Sequence, residues 1–392
     1  MKAGLLGRTL GHSLSPQIHK FFGDYEYRLY EKEPEEVEGF LRAGFESGDF
    51  DFLNVTIPYK QTVFELCDEL SPMARKLGNV NFVTRTADGK LKGDNTDAFG
   101  VERLLDANGI DVRDWNCAIL GAGGAAMTVK AVLEERGAKR VTFVRRGEEP
   151  AQDDDLIVNA TPVGMWPHTD EVRVDISRYV ACKAVLDLVY NPSPTRLVRE
   201  ALACGKIAAD GMVMLIAQAY RAFQFSQSSN RTIEQSNNLF LYGPPASGKS
   251  TWAKRIAAAT GWTLVDLDAE IVKAEGRSIP EIFEQEGEKG FREVEKRCLA
   301  SICTGETPVP PKTSVSPGRI VALGGGALLD PESRKIAEMA GRVVVLDCPL
   351  ETLKARLTGG DRPLSADTAK LETLVKSRVA HYASFPRQVK MI

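Results

Sequence analysis

The run GPPASGKST, from Gly243 to Thr251, fits the spacing G-x-x-x-x-G-K-[ST] and stands between an apolar strand-like stretch and a helical one. That pattern is phosphate chemistry. Gly243, Pro244, Pro245, Ala246, Ser247 and Gly248 form a tight loop whose N–H groups cradle a β-phosphate. Lys249 reaches the β- and γ-phosphates, Ser250 ligates Mg²⁺, and Thr251 continues the first helical turn beside it. No base-specificity motif of a GTPase accompanies the loop, so ATP is the expected nucleotide.

A second glycine-rich run, GAGGAA, lies upstream at Gly121, Ala122, Gly123, Gly124, Ala125 and Ala126. It has the G-x-G-x-x-A form, follows a strand-like run and opens a helix, the context a dinucleotide site requires. Gly121 permits the turn, Gly123 lets a pyrophosphate approach the backbone, and the helix N-terminus supplies partial positive charge. The next strand, RVTFV, ends in Arg145 and Arg146 with no acid for a ribose 2′-hydroxyl. Two arginines suit a 2′-phosphate, so the expected cofactor is NADP(H). Glu148 and Glu149 stand close enough in sequence to neutralise them in part.

The elements that position these loops follow from pattern. From residue 1 to about 225, short apolar runs alternate with helical patterns, the signature of βαβ units. KAGLLG, FLNVTI, NCAIL, RVTFV and DLIVNA read as strands, and VNFVTRTADGKLKG as a hairpin turning at Asp88 and Gly89. Ser15 before Pro16 reads as a helix cap, and Thr96 or Asp97 as the cap of the helix that follows. The polar stretch FSQSSNRTIEQSN contains the expected linker, residues 226–236. Beyond it NLFLY, TLVDLD, RIVALGG and RVVVLD read as strands of a separate three-layer α/β domain, with a proline-rich exposed loop from Thr304 to Gly318. The fold class is therefore α/β throughout. The expected division is a substrate-binding domain over 1–97 with a returning helix at 211–225, a Rossmann-like domain over 98–210, and a P-loop domain over 237–392.

Composition narrows the classes. The chain has 392 residues, 26% charged and 43% apolar, with a formal net charge of −3. Signs are interspersed, which gives no pull toward nucleic acid or an anionic membrane. No apolar run approaches the roughly 18 residues of a membrane span, and the first residues lack a signal-peptide core. The cysteine count is seven, without a CxxC pair, so neither a disulfide framework nor a zinc site is expected, and a cytoplasmic location is. Small-molecule substrates are the expected partners; a homo-oligomer stays open.

The blocks GHSLSPQIH, NVTIPYK, GDNTD, VNATPVGM, DLVYNPSPT and DGMVMLIAQAYRAF, in that order, resemble shikimate dehydrogenase, over residues 1 to about 225. The resemblance implies NADPH-dependent reduction of 3-dehydroshikimate. It makes Lys60 the proton donor and Asp97 the carboxylate that orients it. It places Ser13 and Ser15 on the substrate carboxylate, makes Thr56, Asn81, Asn95, Tyr190 and Gln218 further substrate contacts, and sets Gly211 beside the nicotinamide. Each residue taken singly has a plainer reading, Lys60 as a surface lysine for example. The chain departs from the family pattern at Val144-Arg145-Arg146, where relatives carry Asn-Arg-Thr, at Leu188, where Met is common, and in a short segment between His19 and Tyr30.

DLD at 266–268, GFREVE, ALGGGAL, GGDRPL and KSRVAHY likewise resemble shikimate kinase, from about 237 onward. By that resemblance Asp268 contacts the accepting hydroxyl at the end of the second strand, and Asp266 holds Mg²⁺ through water. Arg292 and Arg378 bind the substrate carboxylate, Gly325 binds through its backbone, and Arg362 on a lid stabilises the transferring phosphoryl group. By spacing alone Arg292 equally suits ion pairs with Glu288 or Glu295. After the RVAHY helix the short FPRQVKMI is expected to lack the short strand region and closing helix that kinases of this family place there. The resemblances imply a bifunctional enzyme in which the product of the first reaction is the substrate of the second. A quinate-type dehydrogenase joined to another small-metabolite kinase, and a regulatory protein with inactive domains, are the rival readings.

Overall fold

The computed structural model describes residues 1–228, 238–304, 318–358 and 368–391. Most of the expected linker, the proline-rich loop at 305–317 and Arg362 lie outside the described residues. The chain forms two compact units, the first built on residues 1–228 and the second on residues 238–391.

The first unit opens with a mixed sheet of β1 (Lys2–Gly7), β2 (Glu26–Glu31), β3 (Phe52–Val55), β4 (Glu69–Leu70), β5 (Phe82–Arg85) and β6 (Leu91–Asp94), in the order β2-β1-β3-β5-β6-β4. β1 and β3 are buried along nearly their whole length, which is why they read as continuous apolar runs. Asn54 interrupts that run in β3, and the Tyr27 hydroxyl donates to its Oδ1 at 3.0 Å. The hairpin is present: β5 and β6 pair antiparallel with Arg85 opposite Leu91, and Gly89 takes φ +90° in the turn. Helices α1 (Ser15–Phe22), α2 (Val37–Ser47), α3 (Lys60–Leu66) and α4 (Pro72–Leu77) connect the strands. Ser15 does not cap α1 as expected. Leu14 holds the cap position without a side-chain bond, because the helix already begins at Ser15, whose hydroxyl accepts from Ser13 Oγ at 3.1 Å.

Helix α5 (Asp97–Ala107) leads to a second sheet, all parallel: β7 (Asn116–Leu120), β8 (Arg140–Val144), β9 (Leu156–Asn159), β10 (Ala184–Asp187) and β11 (Ile207–Asp210), in the order β11-β10-β9-β7-β8. Helices α6 (Gly124–Glu135) and α7 (Arg196–Ala203) lie between its strands, and α8 (Met212–Ser228) returns to pack on α1 and α5. Gly100 permits that return, since a Cβ there would stand 2.8 Å from the Met214 carbonyl oxygen. Residues 226–228, expected in the linker, continue α8. The Ser226 hydroxyl satisfies itself within the helix, donating to the Phe223 carbonyl at 2.7 Å.

The second unit is a parallel sheet of β12 (Asn238–Tyr242), β13 (Thr263–Asp266), β14 (Arg319–Ala322), β15 (Arg342–Asp347) and β16 (Gln388–Lys390), in the order β13-β14-β12-β15-β16. Helices α9 (Lys249–Thr260), α10 (Leu267–Glu275), α11 (Ile279–Thr304, kinked at Gly287), α12 (Pro331–Ala340), α13 (Leu350–Thr358) and α14 (Thr368–Ala383) flank it. Phe240, Leu299, Val343 and Phe385 sit in the core on one side. Two expectations are corrected here. The second strand stops at Asp266, whose carboxylate caps α10, so Asp268 lies in a first helical turn. The segment after α14 does supply a strand: QVK pairs parallel with β15 and buries Val389, because the edge of β15 offers free backbone groups to any extended segment of suitable pattern.

Two candidate active sites

The first site forms where α3 and α5 begin. Lys60 is the first residue of α3 and Asp97 the first of α5, and Lys60 Nζ lies 2.5 Å from Asp97 Oδ2. The two side chains keep only 19% and 10% of their surface exposed, so the pair works in a medium far less polarisable than water. Neither Thr96 nor Asp97 caps α5 through its side chain. Asn95 does: its Oδ1 accepts from the N–H of Asp97 at 3.0 Å, and its Nδ2 donates to Asn79 Oδ1 at 2.6 Å. Asn81 supports the same turn, accepting from Thr96 N–H at 2.7 Å and donating to Thr96 Oγ1 at 3.1 Å. Both asparagines therefore spend hydrogen bonds on fixing Asp97. Asn54, the first residue of NVTIPYK, and Asn79, two residues before Asn81, were passed over by sequence reasoning and are buried.

Of the other expected substrate contacts, the hydroxyls of Ser13 and Ser15 adjoin one another. Thr56 precedes the turn into α3, its N–H donating to the Leu6 carbonyl at 2.9 Å. Tyr190 is largely enclosed, and burial pushes its phenol above the ordinary range. Gln218, on α8, is buried and donates to the Leu215 carbonyl at 2.9 Å. Gly211 has no room for a Cβ against the Leu188 carbonyl.

The dinucleotide-type loop lies between β7 and α6. Gly121 takes φ +104°, and a Cβ there would also stand 3.0 Å from Thr161 Cγ2. At Gly123 and Gly124 an added Cβ would meet nothing within 4 Å, which leaves an open cradle before the α6 N-terminus. That opening fits a pyrophosphate, with Ala122 exposed and Ala125 half-buried beside it. Arg145 and Arg146 follow β8 and are exposed. The acids beside them are occupied elsewhere: Glu148 accepts from the Arg145 N–H at 2.8 Å, and Glu149 from the Tyr179 hydroxyl at 2.5 Å. Among the described residues neither arginine has an ion pair. Arg173, far off in sequence, braces their turn by donating to the carbonyls of Arg145 at 2.6 Å and Glu148 at 3.0 Å.

The second site surrounds the loop between β12 and α9. Gly243, Ala246 and Gly248 take φ of +136°, +61° and +92°, winding the backbone around a concave centre. Lys249 Nζ donates to the carbonyls of Gly243 at 3.0 Å and Pro244 at 2.8 Å, folded over the cradle it would serve. The Ser247 hydroxyl is buried and has no partner among the described residues, an orphan polar group where phosphate oxygens would fit. Ser250 and Thr251 are exposed on the first turn of α9. Arg356 backs the loop, donating to the Ser247 carbonyl at 3.3 Å.

Residues 324–326 run against this loop. A Cβ on Gly325 would stand 3.2 Å from Pro245, one on Gly324 2.9 Å from Glu295 Oε1 and 3.5 Å from Asp268 Oδ1, and one on Gly326 2.5 Å from Arg292. The Gly325 carbonyl accepts from Arg378 at 3.1 Å and Tyr382 at 2.7 Å. The structure thus gathers Asp268, Arg292, Gly325 and Arg378 around the glycines that follow β14, at the carboxyl end of the sheet. Arg292 makes both ion pairs its spacing allows, with Glu288 at 3.2 Å and Glu295 at 2.6 Å. Glu295, buried at 2% exposure, is held by burial above the usual carboxyl range, against the pull of Arg292. Asp266 Oδ1 accepts from Asp268 N–H at 3.1 Å and from Ala269 N–H at 3.3 Å.

The first unit is thus an α/β oxidoreductase scaffold with a dinucleotide loop, and the second a P-loop kinase scaffold. Residues 5–83 match the shikimate dehydrogenase substrate binding domain, and residues 245–390 match shikimate kinase. The shikimate dehydrogenase (NADP(+)) of Methanopyrus kandleri is 37% identical over 274 residues, which span 61% of this chain and 94% of that protein. That of Clostridium beijerinckii is 34% identical over 60% of this chain and 97% of its own length. A Thermus thermophilus shikimate 5-dehydrogenase solved with NADP(H) and shikimate is 30% identical, with a TM-score of 0.53 over 58% of this chain and 94% of that one. The chain belongs to the shikimate dehydrogenase family and carries a shikimate kinase domain behind it.

Proposed function

We propose that this one chain reduces 3-dehydroshikimate to shikimate with NADPH and then phosphorylates the shikimate 3-hydroxyl with ATP. The observation that carries the reading is that each unit holds residues of its own for its reaction: Lys60 with Asp97 in the first, Lys249 with Asp268, Arg292 and Arg378 in the second, to which Arg362 would add its charge on the transferring phosphoryl group. The proposed organisation is 1–97 for substrate, 98–210 for cofactor and 237–392 for the kinase.

In the reduction, NADPH supplies the hydride when bound, and the chain supplies the rest. Lys60 donates a proton to the oxygen that gains negative charge, and Asp97 keeps the ammonium aimed. Ser13 and Ser15 hold the substrate carboxylate. Thr56, Tyr190 and Gln218 read the ring substituents, and Asn81 and Asn95 join them while holding Asp97 in place. Arg145 and Arg146 receive the 2′-phosphate. In the phosphorylation, Asp268 orients the attacking hydroxyl, Arg292 and Arg378 fix the carboxylate, and Lys249 balances charge on the phosphates. Ser250 and Asp266 would hold Mg²⁺, which draws charge from the β- and γ-oxygens. The test is direct: NADPH oxidation on adding 3-dehydroshikimate, and ADP release on adding shikimate and Mg²⁺-ATP, both by the full chain. Absence of either turnover refutes that half.

A further inference from the structure

The carboxyl ends of the parallel sheet in the first unit carry a buried pair that the reduction chemistry above does not use. Asn159 ends β9 and Asp187 ends β10, and the two are direct neighbours in the strand register. Both are 1% exposed. Asn159 Nδ2 donates to Asp187 Oδ1 at 2.8 Å and to the Val163 carbonyl at 3.2 Å, while its Oδ1 accepts from Thr161 N–H at 3.1 Å and Thr161 Oγ1 at 2.6 Å. Asp187 accepts in addition from Val189 N–H at 3.1 Å and from Thr195 Oγ1 at 2.7 Å. Thr195 in turn accepts from Val198 N–H at 3.3 Å, capping α7.

Each residue type is dictated by its partners. Position 159 must give two protons and take two, which an amide does. Position 187 accepts from two fixed donors on Oδ1 and from the Thr195 hydroxyl on Oδ2, a set that suits an ionised carboxylate. The pair ties down two loops. One, after β9, brings Thr161 against the Gly121 turn of the cofactor loop. The other, after β10, carries Leu188, packed on Gly211, and Tyr190. The loops are also joined to each other by Trp166 N–H donating to the Asn191 carbonyl at 3.0 Å. In such sheets ligands bind beyond the carboxyl ends of the strands, where these loops lie.

We propose that Asn159 and Asp187 are a positioning pair for the reduction, holding the cofactor-side and substrate-side loops in register through the ionised Asp187 carboxylate. The inference rests on the dehydrogenase reading of this site. Burial, with Asp210 adding to it from the end of β11, pushes the Asp187 carboxyl up to about 6, although Thr195, Val189 and Asn159 all favour the ionised form. A proton arriving on Oδ2 would reverse the Thr195 bond, disturb the cap of α7 that shares that hydroxyl and loosen the loop after β10, so the reduction should weaken as pH falls through about 6.

The experiment uses the full chain with Asp187→Asn, Thr195→Val and Thr195→Ser, measuring 3-dehydroshikimate reduction between mildly acid and mildly alkaline pH, with shikimate phosphorylation in the same preparations as an internal control. Asp187→Asn is expected to lower kcat for reduction by about ten- to a hundredfold, the scale of small misplacements in a reaction geometry, to remove the acid limb near pH 6, and to leave phosphorylation unchanged. Thr195→Val is expected to lose kcat severalfold while Thr195→Ser keeps it. Wild-type kcat and an unaltered acid limb in Asp187→Asn would overturn the proposal. Should that variant not fold, equal activity of the two Thr195 variants would overturn it instead. Wild-type protein that fails to oxidise NADPH with 3-dehydroshikimate would refute the dehydrogenase reading itself, a result distinct from an active wild type with an indifferent Asp187→Asn.

Discussion

Lys60 Nζ and Asp97 Oδ2 stand 2.5 Å apart at the first residues of two helices, and Asn95 secures the turn that delivers the carboxylate. This relationship makes a lysine into an aimed proton donor. Replacing Lys60 with Met removes the proton and leaves Asp97 largely buried without its partner. Reduction should fall by roughly 10²–10⁴-fold, the usual contribution of a positioned acid, and the melting temperature of the first unit should drop, reflecting up to about 3 kcal/mol for an uncompensated charge. Shikimate phosphorylation by the same sample should be unchanged. Retained reduction would remove Lys60 from the mechanism.

Cofactor choice is predicted to rest on Arg145 and Arg146. Changing both to Ser should raise KM for NADPH by about tenfold or more, given that charge-assisted hydrogen bonds contribute roughly 1.5–3 kcal/mol each, and leave KM for NADH nearly untouched. Arg173→Met should shift KM for NADPH in the same direction by less, since it acts only through the carbonyls of Arg145 and Glu148. Steady-state kinetics with both cofactors decide this. A wild type that prefers NADH contradicts it.

The buried end of the Arg292–Glu295 pair predicts a pH signature in the second unit. The Glu295 carboxyl is already raised above its unfolded value by burial, so its cost to stability is absent below the unfolded range and grows as pH rises through the folded value. Arg292→Met removes the opposing pull. The variant should therefore be destabilised relative to wild type at pH 8 and recover toward it as pH is lowered to about 5, by thermal unfolding. A deficit that is the same at both pH values would show that Glu295 is not the source.

β16 supplies a further check. Val389 is 1% exposed, paired with Leu346 of β15. Val389→Asp places a charge there and should cost roughly 3 kcal/mol or more, lowering the melting temperature of the kinase unit and its ATP turnover while reduction of 3-dehydroshikimate continues. An unchanged melting temperature would mean that the fifth strand contributes little.

Much of this was legible from sequence where function is written in contiguous backbone. The turns at Gly121 and Gly243 need positive φ, and the glycines that permit it stand beside the residues they serve. The strands of the two parallel sheets were legible as apolar runs bounded by polar ones. What escaped depended on partners distant in sequence. Arg173 braces the Arg145 turn across 28 positions, and Asn159 meets Asp187 across the same interval. QVK becomes a strand only because β15 offers it an edge. Ser15 looked like a cap because serine before proline usually is one, and its hydroxyl was instead committed to Ser13.

The central claim is that one chain holds two separate active sites for consecutive reactions. It is tested most directly by supplying the wild-type chain, Lys60→Ala and Asp268→Asn with 3-dehydroshikimate, NADPH and Mg²⁺-ATP, and following shikimate and shikimate 3-phosphate with time. Wild type should form shikimate 3-phosphate. Lys60→Ala should form neither product yet phosphorylate added shikimate, Asp268→Asn should stop at shikimate, and a mixture of the two variants should restore the full conversion. Loss of both activities from either single change, in protein that remains folded, would contradict the account.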